Sequence, residues 1–151
     1  MHRAADLFGS RIGVVSGDRE FTYRQLKSRA ERLSTALTQL GVQQGDRVAY
    51  LCPNIPPMLE AHFGVLLAGG ILVTINTRLA PAEIQHILQH SRAKYLFVDT
   101  EFAHGLRGIL GECPELAHIV NIDDTGEYAP LPGGDYETFL AAAPEGPVTL
   151  D

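Results

Sequence analysis

The feature that most constrains this chain is a rhythm of short apolar runs, each separated from the next by a stretch with helical spacing. The runs are Val48-Ala49-Tyr50-Leu51, Ile71-Leu72-Val73, Tyr95-Leu96-Phe97-Val98 and His118-Ile119-Val120-Asn121-Ile122. A strand with one wet face alternates apolar and polar residues, whereas a strand covered on both faces reads as an unbroken apolar run. Strands of the second kind, joined by helices through short connections, pair in parallel by right-handed crossovers. The expected fold class is therefore α/β: a layered parallel sheet with helices on both faces.

The first helix has the clearest signals. Leu26, Ala30, Leu33, Leu37 and Leu40 share one face, so the spacing predicts a helix over Tyr23 to Leu40. Thr22 is placed to cap it, Gln25 is the capping-box partner three residues on, and Phe21 can staple to Leu26. Gly41 is the stop, because glycine accepts the left-handed conformation at low cost. Upstream, Gly13 to Ser16 and Glu20 to Thr22 flank Gly17-Asp18 and read as a small β-hairpin preceding the sheet. A second helix opens at Pro53-Asn54-Ile55-Pro56-Pro57, with Asn54 as the expected cap and Leu59, Phe63, Leu66 and Leu67 as its apolar stripe. Gly69-Gly70 ends it, and Ile71 to Val73 is expected to be a buried strand. Pro81 and Glu83 mark the start of a third helix, with Ile84, Ile87 and Leu88 facing inward. A fourth carries Phe102, Leu106, Ile109 and Leu110.

Residues 123–135 form an acidic loop rich in Gly and Pro, and a short helix from Tyr136 to Ala143 follows. Val148-Thr149-Leu150-Asp151 then starts an apolar run with neither a cap nor a polar tail. The expected organisation is a single partial domain, residues 1–151, whose sequence continues beyond Asp151.

Charge narrows the function classes. The chain carries 12 basic and 18 acidic side chains, a net −6. Residues 1–98 hold 11 basic and 7 acidic groups, and residues 99–151 hold 1 and 11. A chain whose strongest bias is negative is poorly suited to phosphate backbones, so no nucleic-acid partner is expected. The apolar run from Phe63 to Val73 falls short of the ~20 residues that span a bilayer, so no transmembrane segment is expected. Met1 to Val15 lacks a signal-peptide apolar core. Cys52 and Cys113 form no CxxC pair, and a reducing cytoplasm is the expected setting.

Few residues carry a motif with chemistry of its own. Neither GxxxxGK[ST] nor GxGxxG occurs, and Gly64 with Gly69-Gly70 reads as a helix stop with close packing rather than a phosphate loop. His86 and His90 stand at i, i+4 on a helix but lack a third ligand and a base, so a solvated face is the reading. His62, His104 and His118 have no motif around them. Ser10, Ser16, Ser28, Ser34 and Ser91 include no GxSxG elbow. Cys52, at a strand's carboxyl end, is read as a small buried hydrophobe. Asp123-Asp124 read as a solvated turn. Arg78 is open between anion steering and a structural contact. No catalytic, cofactor-binding or metal-binding residue is assigned.

One stretch nonetheless resembles a known family. Gly45-Asp46-Arg47-Val48, Pro53-Asn54, Ala68-Gly69-Gly70, Asn76-Thr77-Arg78-Leu79 and His90-Ser91-Arg92-Ala93-Lys94 keep the order and spacing of the N-terminal part of adenylate-forming (AMP-binding) enzymes. The chain resembles the acyl-CoA synthetase, or fatty-acid–CoA ligase, branch. Thr22-Tyr23 matches that family's opening helix, and the resemblance covers most of residues 12–102. It implies an enzyme that joins a carboxylic acid, fatty by the Asn76-to-Leu79 and Val98-to-Phe102 forms, to coenzyme A through an acyl-adenylate. It implies ATP, Mg²⁺ and coenzyme A for the full-length protein. The family's phosphate loop and its later adenine, ribose and lysine motifs have no counterpart here. Residues 1–151 are therefore expected to bind none of these cofactors and to be inactive without the rest of the chain. The alternative is a stand-alone α/β module that binds a ligand or partner without catalysis.

Overall fold

Strand residues that alternate between two apolar layers build the centre of this protein. The computed structural model describes residues 1–144. Helix α1 (His2–Phe8) leads into the strands β1 (Ile12–Ser16) and β2 (Arg19–Thr22), which pair as an antiparallel hairpin. Helix α2 (Tyr23–Leu40), β3 (Arg47–Leu51), α3 (Pro56–Leu67), β4 (Ile71–Thr74), α4 (Pro81–Ser91), β5 (Tyr95–Asp99) and α5 (Thr100–Leu106) follow. A 3-10 turn at Leu110–Glu112, then β6 (His118–Ile122), β7 (Gly134–Asp135) and α6 (Tyr136–Ala141), complete the order. The proposed strand at Val148-Thr149-Leu150-Asp151 lies outside the described residues.

The sheet runs β4-β3-β5-β6-β7, and every neighbouring pair is parallel. The pleat divides its side chains. Val48 and Tyr50 of β3, Tyr95 and Phe97 of β5, and Val120 and Ile122 of β6 join one core with α2, α3 and α6. Ala49, Leu51, Leu96 and Val98 point the other way, into a core shared with α4 and α5. Helices thus cover both faces, as unbroken apolar strands require. Register sets Tyr50 opposite Phe97, where the rings stack with centroids 4.5 Å apart, while Tyr136 meets Phe97 edge-on at 6.1 Å. Offset or edge-on aromatic pairs add ~0.5–1.5 kcal/mol beyond the area they bury.

Helix α2 has the boundaries its sequence predicts. Thr22 Oγ1 accepts from Gln25 N at 3.2 Å, Gln25 Oε1 accepts from Thr22 N at 2.8 Å, and Gly41 stops the helix at φ 99°. Four expectations are corrected. Asn54 does not cap α3: the capping position is Ile55, without a side-chain bond, and Pro56-Pro57 supply the first turn. The buried face of α3 runs through Met58, Ala61 and Val65, whereas Leu66 is exposed. This helix is apolar nearly all round, so spacing alone does not say which side turns inward. Among the described residues strand β4 is the sheet's edge rather than a buried strand, and Ile71 is half exposed. The fourth helix breaks after Leu106, with Ile109 and Leu110 in and beside the 3-10 turn.

Two elements carry too little pattern to foresee. Helix α1 buries only Ala5. The acidic loop 123–135 ends in the two-residue β7, held because Asn121 bonds Leu131 N and O, both at 2.9 Å, and Gly134 O at 3.2 Å. Among the described residues no helix is long and apolar enough to cross a membrane.

Candidate functional site

The family-like landmarks separate onto opposite edges of the sheet. Gly45-Asp46-Arg47 and Ser91-Arg92-Ala93-Lys94 meet at the amino edge, where Lys94 Nζ lies 2.7 Å from Asp46 Oδ1. Arg47 donates to the carbonyls of Gly45 and Arg92, each at 3.1 Å, and to Ser91 O, closing the carboxyl end of α4. Burial opposes ionisation of Asp46, but the Lys94 ammonium and the Gln43 N–H outweigh it and hold the carboxyl below its usual range. The hydrogen bond that Lys94 donates to Asp46 in turn holds Lys94 above the ordinary lysine value. Gly70 belongs to this edge: a Cβ there would lie 3.1 Å from Val65 Cγ1 and 3.4 Å from Asp46 O. These residues clamp helices to strands, and Gly69-Gly70 is a close-packed helix stop.

The opposite edge is open. In an open parallel sheet, ligands bind outside the carboxyl ends of the strands where the winding direction reverses. Here β4 and β5 flank β3 on opposite sides, so the reversal falls between β3 and β5. A cleft of ≈ 540 Å³ opens on the other side of β3, past the carboxyl ends of β3 and β4, lined by Cys52, Asn54 and His62 with Thr74, Asn76 and Thr77. His62 Nδ1 lies 2.8 Å from Met58 O, which orients the ring. Asn76 Oδ1 accepts from Arg78 N at 3.0 Å and shapes the turn that presents Thr77. This lining offers amide, hydroxyl and imidazole groups to a polar ligand.

Across β5, the edge is acidic. Asp99 caps α5 by accepting from Glu101 N at 3.0 Å and is itself buried. Burial raises its pKa; the Glu101 N–H opposes that rise, while Asp124, Glu101 and Asp123 add to it. Asp123 accepts from Gly126 N at 2.8 Å, and Asp124 pairs with Arg19 of the hairpin, which fits the surface-turn reading. Burial, with Asp99 and Asp124 contributing further, pushes the Cys52 thiol up to about 12. A thiol so placed is protonated at neutral pH and is not an activated nucleophile. His86 and His90 lie on the exposed side of α4, and among the described residues no three His, Cys, Asp or Glu side chains gather as a metal set.

A buried charge escaped the sequence reading altogether. Glu60, 1% exposed, accepts from Arg29 and from the Tyr136 hydroxyl at 2.7 Å. Arg29 also bonds Glu137, at 2.9 and 2.6 Å, so one guanidinium ties α2 to α3 and α6. The available signal was a lone carboxylate within the apolar segment Pro56 to Leu67.

Strand order, parallel pairing and helices on both faces define a doubly wound α/β domain. The chain belongs to the AMP-binding enzyme family, whose model matches residues 1–148. It is 41% identical over 142 residues to Probable acyl-activating enzyme 21 of Arabidopsis thaliana, covering 92% of this chain and 25% of that protein. It is 42% identical over 108 residues to the peroxisomal trans-cinnamate:CoA ligase of Petunia hybrida, covering 72% and 19%. The solved structure of the anthranilate CoA ligase AuaEII, in complex with anthranoyl-AMP, superposes with a TM-score of 0.88 at 31% identity, covering 95% of this chain and 27% of that one. The chain thus spans about a quarter or less of the length of these relatives.

The lining of the cleft at the carboxyl edge offers neither a cation for a nucleoside triphosphate nor a carboxylate for its magnesium ion. Gly133 and Gly64 are taken up by packing, since a Cβ at Gly133 would lie 2.4 Å from Ile119 O and one at Gly64 2.7 Å from Leu33 Cδ2. Among the described residues no lysine or arginine lines this cleft.

Proposed function

We propose that the protein to which this chain belongs is an AMP-forming acid–thiol ligase. The carboxylate of the acid attacks the α-phosphorus of ATP, forming an acyl-adenylate and releasing pyrophosphate. The thiol of coenzyme A then attacks the acyl carbon, loses its proton and expels AMP, leaving a thioester. The observation that carries this reading is the family match over residues 1–148, supported by the superposition on an acid–CoA ligase. In this reading residues 1–144 contribute one wall of the large domain: a rigid parallel sheet whose carboxyl edge borders the ligand crevice. The ATP, Mg²⁺ and coenzyme A contacts come from other parts of the protein.

The finer assignment to a fatty acid rests on the Asn76-to-Leu79 and Val98-to-Phe102 forms. The relatives named for cinnamate and anthranilate point toward aromatic acids instead, so the substrate class proposed here is a monocarboxylic acid. Acid-dependent pyrophosphate–ATP exchange tests the reading. Residues 1–151 alone should give none, and the full-length protein should give exchange with a straight-chain or an aryl acid. A full-length protein inert toward both panels would overturn the assignment. The cytoplasmic setting is part of the proposal; it rests on two unpaired, buried thiols, and cell fractionation distinguishes it from the peroxisomal setting named for the cinnamate relative.

A further inference from the structure

The phase of α4 turns two imidazoles away from the core. Ile84 and Leu88 are the buried residues of this helix. His86 and His90 are each two residues further on, which at 3.6 residues per turn puts them on the opposite, exposed side. Pro81 and the Glu83 side chain, accepting from Ala80 N at 2.8 Å, secure the first turn, and Arg47 closes the last. The pair therefore stands on a helix capped at both ends. Its ring centroids are 5.8 Å apart, with planes 18° from parallel. Neither imidazole makes a hydrogen bond or ion pair with another described residue.

We propose that His86 and His90 form an open two-imidazole chelate for a borderline divalent transition-metal ion such as Zn²⁺ or Ni²⁺. Residues at i and i+4 of a helix are neighbours, ~5–6 Å apart at Cβ, a span across which two rings can converge on one ion at ~2.0–2.1 Å from each nitrogen. Imidazole suits zinc, copper and nickel, whereas magnesium and calcium require oxygen donors. Two protein ligands are too few for a closed structural zinc site, so water fills the remaining positions. The Glu83 carboxylate, engaged at the helix start, stays outside the coordination sphere and adds favourable charge one turn away.

The test is titration of untagged full-length protein with NiCl₂ and with ZnCl₂ by calorimetry, alongside His86→Asn and His90→Asn. Both positions are exposed, so neither change disturbs the core. The expected result is binding that either substitution weakens at least about tenfold, the lower end of what disturbing even an outer-shell partner costs a metal site. A thermal midpoint that rises with Ni²⁺ in the parent and not in the variants is also expected, because only the folded helix holds the two rings together. Excess MgCl₂ should not compete. Metal binding unchanged in both variants, or none at millimolar ion, would overturn the proposal. Neither result bears on the ligase reading, which pyrophosphate exchange tests separately.

Discussion

Arg29 and Glu60 form a two-point ion pair across the α2–α3 contact, with Nε 2.6 Å from Oε1 and Nη2 3.3 Å from Oε2. Burial works against the guanidinium's charge, yet the bonds to Glu137 and Glu60 outweigh it and hold Arg29 above the usual arginine range. Removing one partner of a buried pair strands the other. Arg29→Met should therefore cost about 3–5 kcal/mol. The double change Arg29→Met with Glu60→Gln should recover part of that loss, because the stranded charge is gone. Urea unfolding of the parent, single and double variants measures both, and a single variant as stable as the parent would refute the account.

The Asp46–Lys94 pair predicts a pH dependence with a definite sign. The folded-state pKa of Asp46 lies below its unfolded value. Its ionisation thus stabilises the fold at any pH above the unfolded carboxylate range, near ~3.9, and that contribution is lost as pH falls through the folded value. Asp46→Asn should be less stable than the parent at pH 7, and the gap should narrow toward pH 3. A gap that stays constant across that range would show that the charge is not the cause.

Burial of the thiols predicts their reactivity. Cys52 is raised to about 12, and burial with Glu112 also raises Cys113. Iodoacetamide at pH 8 should label neither thiol in the native chain and both in denaturant. Mass spectrometry reads the stoichiometry, and rapid native labelling at Cys52 would contradict the buried placement.

Two helical glycines should respond oppositely to alanine. A Cβ at Gly64 would lie 2.7 Å from Leu33 Cδ2 and 2.9 Å from Ala30 O, where α3 crosses α2. Overpacking of this kind costs ~1–3 kcal/mol. A Cβ at Gly105 in α5 meets only Pro81 Cγ, at 3.6 Å, an ordinary contact. Gly105→Ala should therefore gain ~0.5–1 kcal/mol from helix propensity. Thermal melts of the two variants should shift in opposite directions.

Much of the fold was legible in the residues. Thr22, Gln25 and Gly41 bound α2 as read, and β3, β5 and β6 appear where the unbroken apolar runs place them. The candidate site was less legible. Cys52 and Asn76 are far apart along the chain, and nothing near either indicates that they line one cleft. The α3 stripe failed for a related reason: when nearly every side of a helix is apolar, the neighbours choose which side is buried. The same holds for Gly64, whose role exists only because α2 passes close by.

By itself the sequence determined the local elements, because caps, stops and periodicities act within a few residues and need no partner. It also carried the family, through landmarks that keep their order along the chain. Only the tertiary structure decided that β4 is an edge, that the winding reverses between β3 and β5, and that Glu60 meets Arg29 and Tyr136 from 31 and 76 residues away. Such contacts depend on which surfaces are brought together when the layers pack. The free energy that selects them comes from burying those surfaces jointly, which no single segment encodes.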